Sequence, residues 1–164
     1  MHREAFDFVE RAAKRVWPVE TVVEFGSLDV NGSAREAVPQ ADVEWVGIDR
    51  CAGPGVDLVL DLEQDDLELE DFDLGVCCET LEHVMAVGRV VDLLIGAVKV
   101  GGYVLITCAT EPRATHSADG GLLHEREWYK NVAPWELHRP NLRVELFEVH
   151  TDRGDLYMLA ERTA

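Results

Sequence analysis

Glu24 and Asp49 each sit at the end of an apolar, β-rich run. The first run opens Thr-Val-Val-Glu-Phe-Gly-Ser-Leu-Asp-Val-Asn-Gly over residues 21–32, and the second covers Val43 to Asp49. A carboxylate at the tip of a parallel strand faces the crevice where doubly wound sheets bind ligands, and one on the second strand can accept both hydroxyls of a ribose. Glu24 lies where a dinucleotide fold would seat a pyrophosphate. Negative charge there repels phosphate and attracts an ammonium or sulfonium group. The pair therefore points to a cationic nucleoside rather than to NAD.

The elements that must carry these acids follow from the pattern. Phe6, Val9, Ala13, Val16 and Trp17 recur at helical spacing before Pro18, which predicts an amphipathic helix over about 3–17. Strands are expected at 21–25, 43–49, 56–62, 72–78 and 103–109, with a short helix at 33–38 closed by Pro39 and a longer one at 84–98. Alternation of strands with helices or short crossovers is the signature of a parallel sheet. Beyond Thr110 a loop containing Gly120-Gly121 leads to a short helix at 125–132. Two β-rich runs, 143–151 and 155–161, flank Asp-Arg-Gly and read as an antiparallel pair at a sheet edge.

A chain of 164 residues with 47% hydrophobic content is the size of one domain, 1–164, with material for a full core. No apolar stretch reaches the length of a membrane span, and the charged N-terminus does not open like a secretory signal, so a cytoplasmic protein is expected. The formal charge of -17 disfavours free nucleic acid as a partner, and the basic residues Arg3, Arg11, Lys14 and Arg15 are interleaved with Glu4, Asp7 and Glu10. The acidic stretch 63–73 reads as a solvated loop. Cys51, Cys77, Cys78 and Cys108 lack the spacing of a zinc site or a disulfide framework and read as reduced, mostly buried thiols. Cys77, Cys78 and His83 want a fourth ligand, so no metal is expected.

Taken in order, the segments resemble class I S-adenosylmethionine-dependent methyltransferases across nearly the whole chain. The run 22–32 is similar to the family's first motif, Val-Gly-Ile-Asp-Arg to the second, and Phe-Asp-Leu-Gly-Val-Cys-Cys-Glu-Thr-Leu-Glu-His-Val to the segment that follows. Val-Lys-Val-Gly-Gly-Tyr-Val-Leu-Ile-Thr resembles the fifth-strand signature, usually Leu-Lys-Pro-Gly-Gly. One departure is plain: Leu28 and Val30 stand where the family's first loop usually has glycine, which should widen that turn. The resemblance implies a doubly wound, Rossmann-like α/β fold with a mostly parallel seven-stranded sheet and an antiparallel C-terminal edge hairpin.

It also implies S-adenosylmethionine as cofactor. Glu24 with the Gly26-Ser27 turn would meet its amino-acid end, Asp49 the ribose, Arg50 the adenine, Asp61 and Leu62 the adenine edge and face, and Cys78 and Glu79 the methionine end. Methyl transfer is an in-line displacement that needs alignment and exclusion of water, plus a base where the acceptor must lose a proton. The candidate bases are His83, His116 and His124, with Glu79 behind them; His83 and His116 are the residues chosen as catalytic. The loop 110–124 would hang over the crevice as a lid hinged at Gly120-Gly121, and Trp128, Tyr129 and Trp135 could wall an apolar pocket. The expected partner is a small-molecule acceptor, with the chain a monomer or homodimer. The competing expectations are a catalytically silent adenosyl-binding module or partner subunit, and an NAD-dependent short-chain enzyme. The last lacks its Tyr-x-x-x-Lys pair, since neither Tyr103 nor Tyr129 has a lysine four residues later.

Overall fold

The apolar runs pair into one seven-stranded sheet in the order β3-β2-β1-β4-β5-β7-β6, seen in a computed structural model that describes residues 1–38 and 42–164. The strands are β1 (Thr21–Phe25), β2 (Glu44–Asp49), β3 (Leu58–Val59), β4 (Phe72–Cys78), β5 (Val98–Ala109), β6 (Leu142–His150) and β7 (Asp155–Arg162). Neighbours from β3 to β5 are parallel, and β7 runs antiparallel between β5 and β6. The expected mixed sheet and edge hairpin are thus present, with β7 on the inside of the hairpin.

Period-2 alternation divides β1 between two cores. Val22 faces α1 (Arg3–Val16), packing in one cluster with Leu74, Val76 and Leu105, whereas Val23 and Phe25 face α2 (Val87–Ala97) with Cys77, Val104 and Ile106. Helix α1 buries Ala5, Phe8, Val9, Ala12 and Ala13, and the Phe8 ring lies 5.0 Å from that of Tyr157 on β7. Phe6, Val16 and Trp17, expected on this stripe, lie at its partly buried margin. Arg11 and Arg15 bond Glu148 and Glu145 of β6, so the charges of α1 are used within the fold.

Several boundaries differ from expectation for identifiable reasons. The run 56–62 pairs only at Leu58–Val59, because Leu60 and Leu62 turn to pack against the core and Asp61 starts a turn. The helix expected at 84–98 begins at Val87, preceded by a 3-10 turn at Leu81–His83. The two amides just ahead of it are met from the acidic loop: Glu63 accepts from Met85 N and Ala86 N at 2.7 and 2.8 Å, so that stretch is not wholly solvated. Strand β5 starts five residues early, at Val98. Residues 33–38 form a 3-10 turn at Ala34–Glu36, and Pro39, expected to close it, lies outside the described residues. No helix forms at 125–132; a 3-10 turn at Pro134–Leu137 stands in its place. Among the described residues no helix is long and apolar enough to cross a membrane.

Candidate functional site

Strand order reverses between β1 and β4, and the carboxyl ends of these strands and β2 open onto a cavity of about 380 Å³. That volume suits a small molecule, for which roughly 300–1,000 Å³ is usual. Glu24, Gly26, Ser27, Asp49, Arg50, Asp61, Leu62, Cys78 and Glu79 all line it, as does His83. The topology brings together residues scattered over five segments of the sequence.

Glu24 closes the floor. It is only 4% exposed, accepts a hydrogen bond from Trp45 Nε1 at 3.1 Å and lies 3.6 Å from Arg35 Nε. Burial pushes its pKa up to about 7, with Trp45 and Arg35 opposing the rise. The charge expected here as fixed is therefore divided near neutral pH between the ionised and protonated forms. Gly26 is demanded twice: its φ is +73°, and a Cβ would come within 1.9 Å of Thr80 Oγ1. Leu28, at a position where glycine was expected, directs its side chain onto Gly53 of the loop after β2. Its amide faces Asp49.

Asp49 takes up that amide. One carboxylate oxygen accepts from Leu28 N at 3.3 Å and the other from Cys51 N at 2.9 Å, which ties the loops after β1 and β2 together at the cavity wall. Asp61 accepts from Glu63 N and Gln64 Nε2, both at 3.0 Å, so its carboxylate caps its own turn while the residue lines the cavity. Arg50 is exposed at the rim. Of the four thiols, Cys77 and Cys108 are buried, Cys78 is half-buried at the cavity and Cys51 is exposed. Burial raises the pKa values of Cys77, Cys78 and Cys108, which keeps these thiols protonated and inert.

Beyond β4 the backbone turns sharply. Glu79 adopts φ +51°, donates its amide to Thr107 O at 2.8 Å and accepts from Thr107 Oγ1 at 2.9 Å. The 3-10 turn that follows sends Glu82 inward and His83 to the cavity edge. Glu82 is fully buried, accepts from Ala109 N at 3.2 Å and leaves its second oxygen without a partner. Burial, then the Glu79 carboxylate, push its pKa up, while burial and then His116 push that of His83 down. The rings of His83 and His116 stand 5.4 Å apart edge to face, with Tyr129 packed 5.6 and 4.7 Å from them. The two histidines expected as catalytic are neighbours, although His116 is not itself on the cavity wall. His124 points elsewhere, paired with Asp119 at 3.0 Å on the surface. Trp128 and Trp135 are 44% and 76% exposed, so they do not wall the site; Tyr129 is half-buried beside the histidines.

The loop after β5 contributes residues that sequence reasoning passed over. Ser117, Ala118, Asp119 and Glu127 line the cavity opposite Asn31, whose side-chain amide donates to Asp119 O at 3.0 Å. Gly120 N and Gly121 O both bond Ser117, giving a tight turn in place of a free hinge. The signal for Ser117 was the turn chemistry of Ser-Ala-Asp-Gly-Gly. Glu82 was visible only as the acid beside His83. Met1, whose amino group donates to Asn31 O at 2.7 Å, completes the rim from just ahead of α1.

No protein-family model matches the sequence, and no curated protein matches it. Solved structures do. The N-methyltransferase NodS from Bradyrhizobium japonicum WM9, in complex with S-adenosyl-L-homocysteine, superposes with a TM-score of 0.69 at 16% identity, covering 99% of this chain and 87% of that one. The fold is that of the class I S-adenosylmethionine-dependent methyltransferases. The 1,6-didemethyltoxoflavin-N1-methyltransferase of Burkholderia thailandensis matches over 98% of this chain and 79% of its own, with a TM-score of 0.69 and 13% identity. The [4+2]-cyclase SpnF matches as well, at TM-score 0.70 and 11% identity over 97% and 82% of the two chains. A methyltransferase fold therefore hosts more than one reaction, and the residues of the site must argue which.

Proposed function

We propose that this chain binds S-adenosylmethionine in the cavity between β1, β2 and β4 and transfers its methyl group to a small-molecule acceptor. One observation carries the reading: acids at three successive strand ends, Glu24, Asp49 and Glu79, line a single cavity of small-molecule size beside a glycine turn. Phosphate-bearing cofactors are disfavoured by that sign of charge, whereas an ammonium or sulfonium is favoured.

Asp49 holds the ribose hydroxyls, its two oxygens already fixed in direction by Leu28 N and Cys51 N. Arg50 lies by the adenine, with Asp61 and Leu62 at its edge and face. Glu24 and the Gly26-Ser27 turn receive the amino-acid end, and Cys78 and Glu79 border the methionine end. When bound, the cofactor supplies a methyl carbon on sulfur: the acceptor's lone pair forms the new bond, and the carbon–sulfur pair stays with the sulfur as a neutral thioether. The protein aligns the two reactants and sheds water, worth up to roughly 7–11 kcal/mol. His83 and His116 are the acceptor-side residues. Ser117, Asp119 and His83 border the mouth of a cavity of about 380 Å³, a size that favours a small acceptor.

Calorimetry with S-adenosylmethionine, S-adenosylhomocysteine and NAD tests the cofactor, followed by transfer of labelled methyl to a compound library. Adenosyl binding with labelled product supports the reading. Binding of NAD in preference to both adenosyl compounds would overturn it, and adenosyl binding without product for any compound would mark a silent module.

A further inference from the structure

Two imidazoles and a carboxylate converge behind the cavity wall, which His83 of the three lines. One nitrogen each from His83 and His116 and one carboxylate oxygen of Glu82 all lie within 4.8 Å of one another. Donors bound to one cation at roughly 2.0–2.2 Å stand no more than about twice that distance apart, so a small closure of the half-buried rings brings the set to bonding distance. The donor atoms also have the right state. His116 Nδ1 bonds Ala114 O at 3.0 Å and must donate to it, which leaves Nε2 with its lone pair free. A ring nitrogen held by a backbone carbonyl is the usual support behind a metal-ligating histidine.

A second observation is independent of this spacing. Glu82 has no exposed surface, yet one oxygen of its side chain has no partner. Burial of an unmatched carboxylate oxygen is costly, and a cation is the group that would match it. Packing alone explains the rings but not this oxygen: Tyr129, the other member of the cluster, sends its hydroxyl to Asn131 Oδ1 at 2.9 Å.

We propose that Glu82, His83 and His116 bind one divalent transition-metal cation, with its remaining coordination positions toward the cavity beside His83. Two imidazoles and one carboxylate suit zinc, manganese, cobalt or ferrous iron better than calcium or magnesium. The thiols weighed from the sequence take no part, and the third ligand is the glutamate between Leu81 and His83. The open positions would take a hydroxyl oxygen of the acceptor: as that oxygen forms its bond to the methyl carbon, its proton passes to the Glu79 carboxylate, which lines the cavity, while the two rings hold the cation. This use rests on the methyl-transfer reading, whereas the binding does not.

Cobalt(II) alone is the probe, titrated into the metal-free full chain at a salt concentration that screens the acidic surface. The expected result is one cobalt per chain with visible d–d absorption, and affinity at least tenfold lower in His83→Gln, His116→Gln and Glu82→Gln. Thermal unfolding of each variant confirms the fold; should Glu82→Gln not fold, the two histidine variants decide. Absence of a stoichiometric site, or unchanged affinity in both histidine variants, overturns the proposal. A parallel titration with S-adenosylhomocysteine separates the two readings: nucleoside binding without cobalt binding removes the metal site alone, and cobalt binding without nucleoside binding keeps the site but removes its use in methyl transfer.

Discussion

Trp45 Nε1 donates to Glu24 at 3.1 Å, which places the indole of β2 against the acid that ends β1. The bond reduces but does not cancel the effect of burial, and Glu24 titrates near pH 7. Its folded pKa is above the ordinary carboxylate value of 4.5. Protonation therefore stabilises the fold relative to the unfolded chain, and stability from this group falls as pH rises from 4.5 through 7.

Affinity for a cationic ligand must run the other way. Only ionised Glu24 attracts an ammonium, so S-adenosylhomocysteine should bind about tenfold more tightly at pH 8 than at pH 6. Glu24→Gln should flatten that dependence. Calorimetry across this range in both forms checks it, and a flat profile in the native chain removes Glu24 from the ligand.

Asp49 carries two tasks that substitutions can separate. Asp49→Ala should abolish detectable nucleoside binding, since charge-assisted bonds to a sugar are worth about 1.5–3 kcal/mol each. The same change frees Cys51 N, which is exposed, and Leu28 N, half-buried at the cavity wall where water can replace the carboxylate, so unfolding should shift by about 1 kcal/mol. Near-normal affinity in Asp49→Ala would show that the carboxylate only ties loops.

Gly26→Ala should be severely destabilising, by about 2–4 kcal/mol, because a left-handed φ of +73° and the Thr80 side chain oppose the new methyl together. Thr80→Gly removes all three of the atoms nearest that methyl. A double-mutant cycle by urea unfolding should recover the steric part and leave the backbone part. Additive losses would mean that the close approach of Gly26 to Thr80 is not what requires glycine.

Asp73 locks the start of β1 to that of β4, accepting from Glu20 N at 2.7 Å and Thr21 N at 2.9 Å and pairing with Lys99. Burial raises its pKa, but Lys99 and the two amides outweigh burial and hold it at about 2. This depressed acid contributes stability that is complete above about pH 4 and is lost as pH falls through 2. Acid unfolding of Asp73→Asn should show on the order of 1–2 kcal/mol less stability at pH 6 and a smaller decline below pH 4. Parallel acid curves for the two proteins would contradict the assignment.

The strand-end acids were legible because β1 and β2 obey a local rule: an apolar run, an acid, then a turn. β4 was legible for the same reason, and the hairpin from two β-rich runs that flank Asp-Arg-Gly. The run 56–62 misled because apolar residues buried by packing against a core cluster look the same in sequence as residues paired in a ladder, and Leu60 and Leu62 are of the first kind. The helix expected at 125–132 failed on a competition that no local pattern records: Glu127 accepts from His124 N and Ser117 Oγ, which holds the segment as a loop. The meeting of His83 with His116 depends on how the loop after β5 folds back, and the inward turn of Glu82 on a 3-10 turn where a regular helix was expected.

Placing β7 between β5 and β6 has a consequence for how the molecule is made. Residues 142–150 leave a ribosome first, yet they have no place on the sheet until residues 155–162 have paired along β5. Until then the buried flank of β5 is an open, adhesive edge of the kind that seeds clumping of nascent chains. Synthesis stalled before Asp155 should therefore yield a species that chaperones retain, even though every strand beneath the cavity has already been translated.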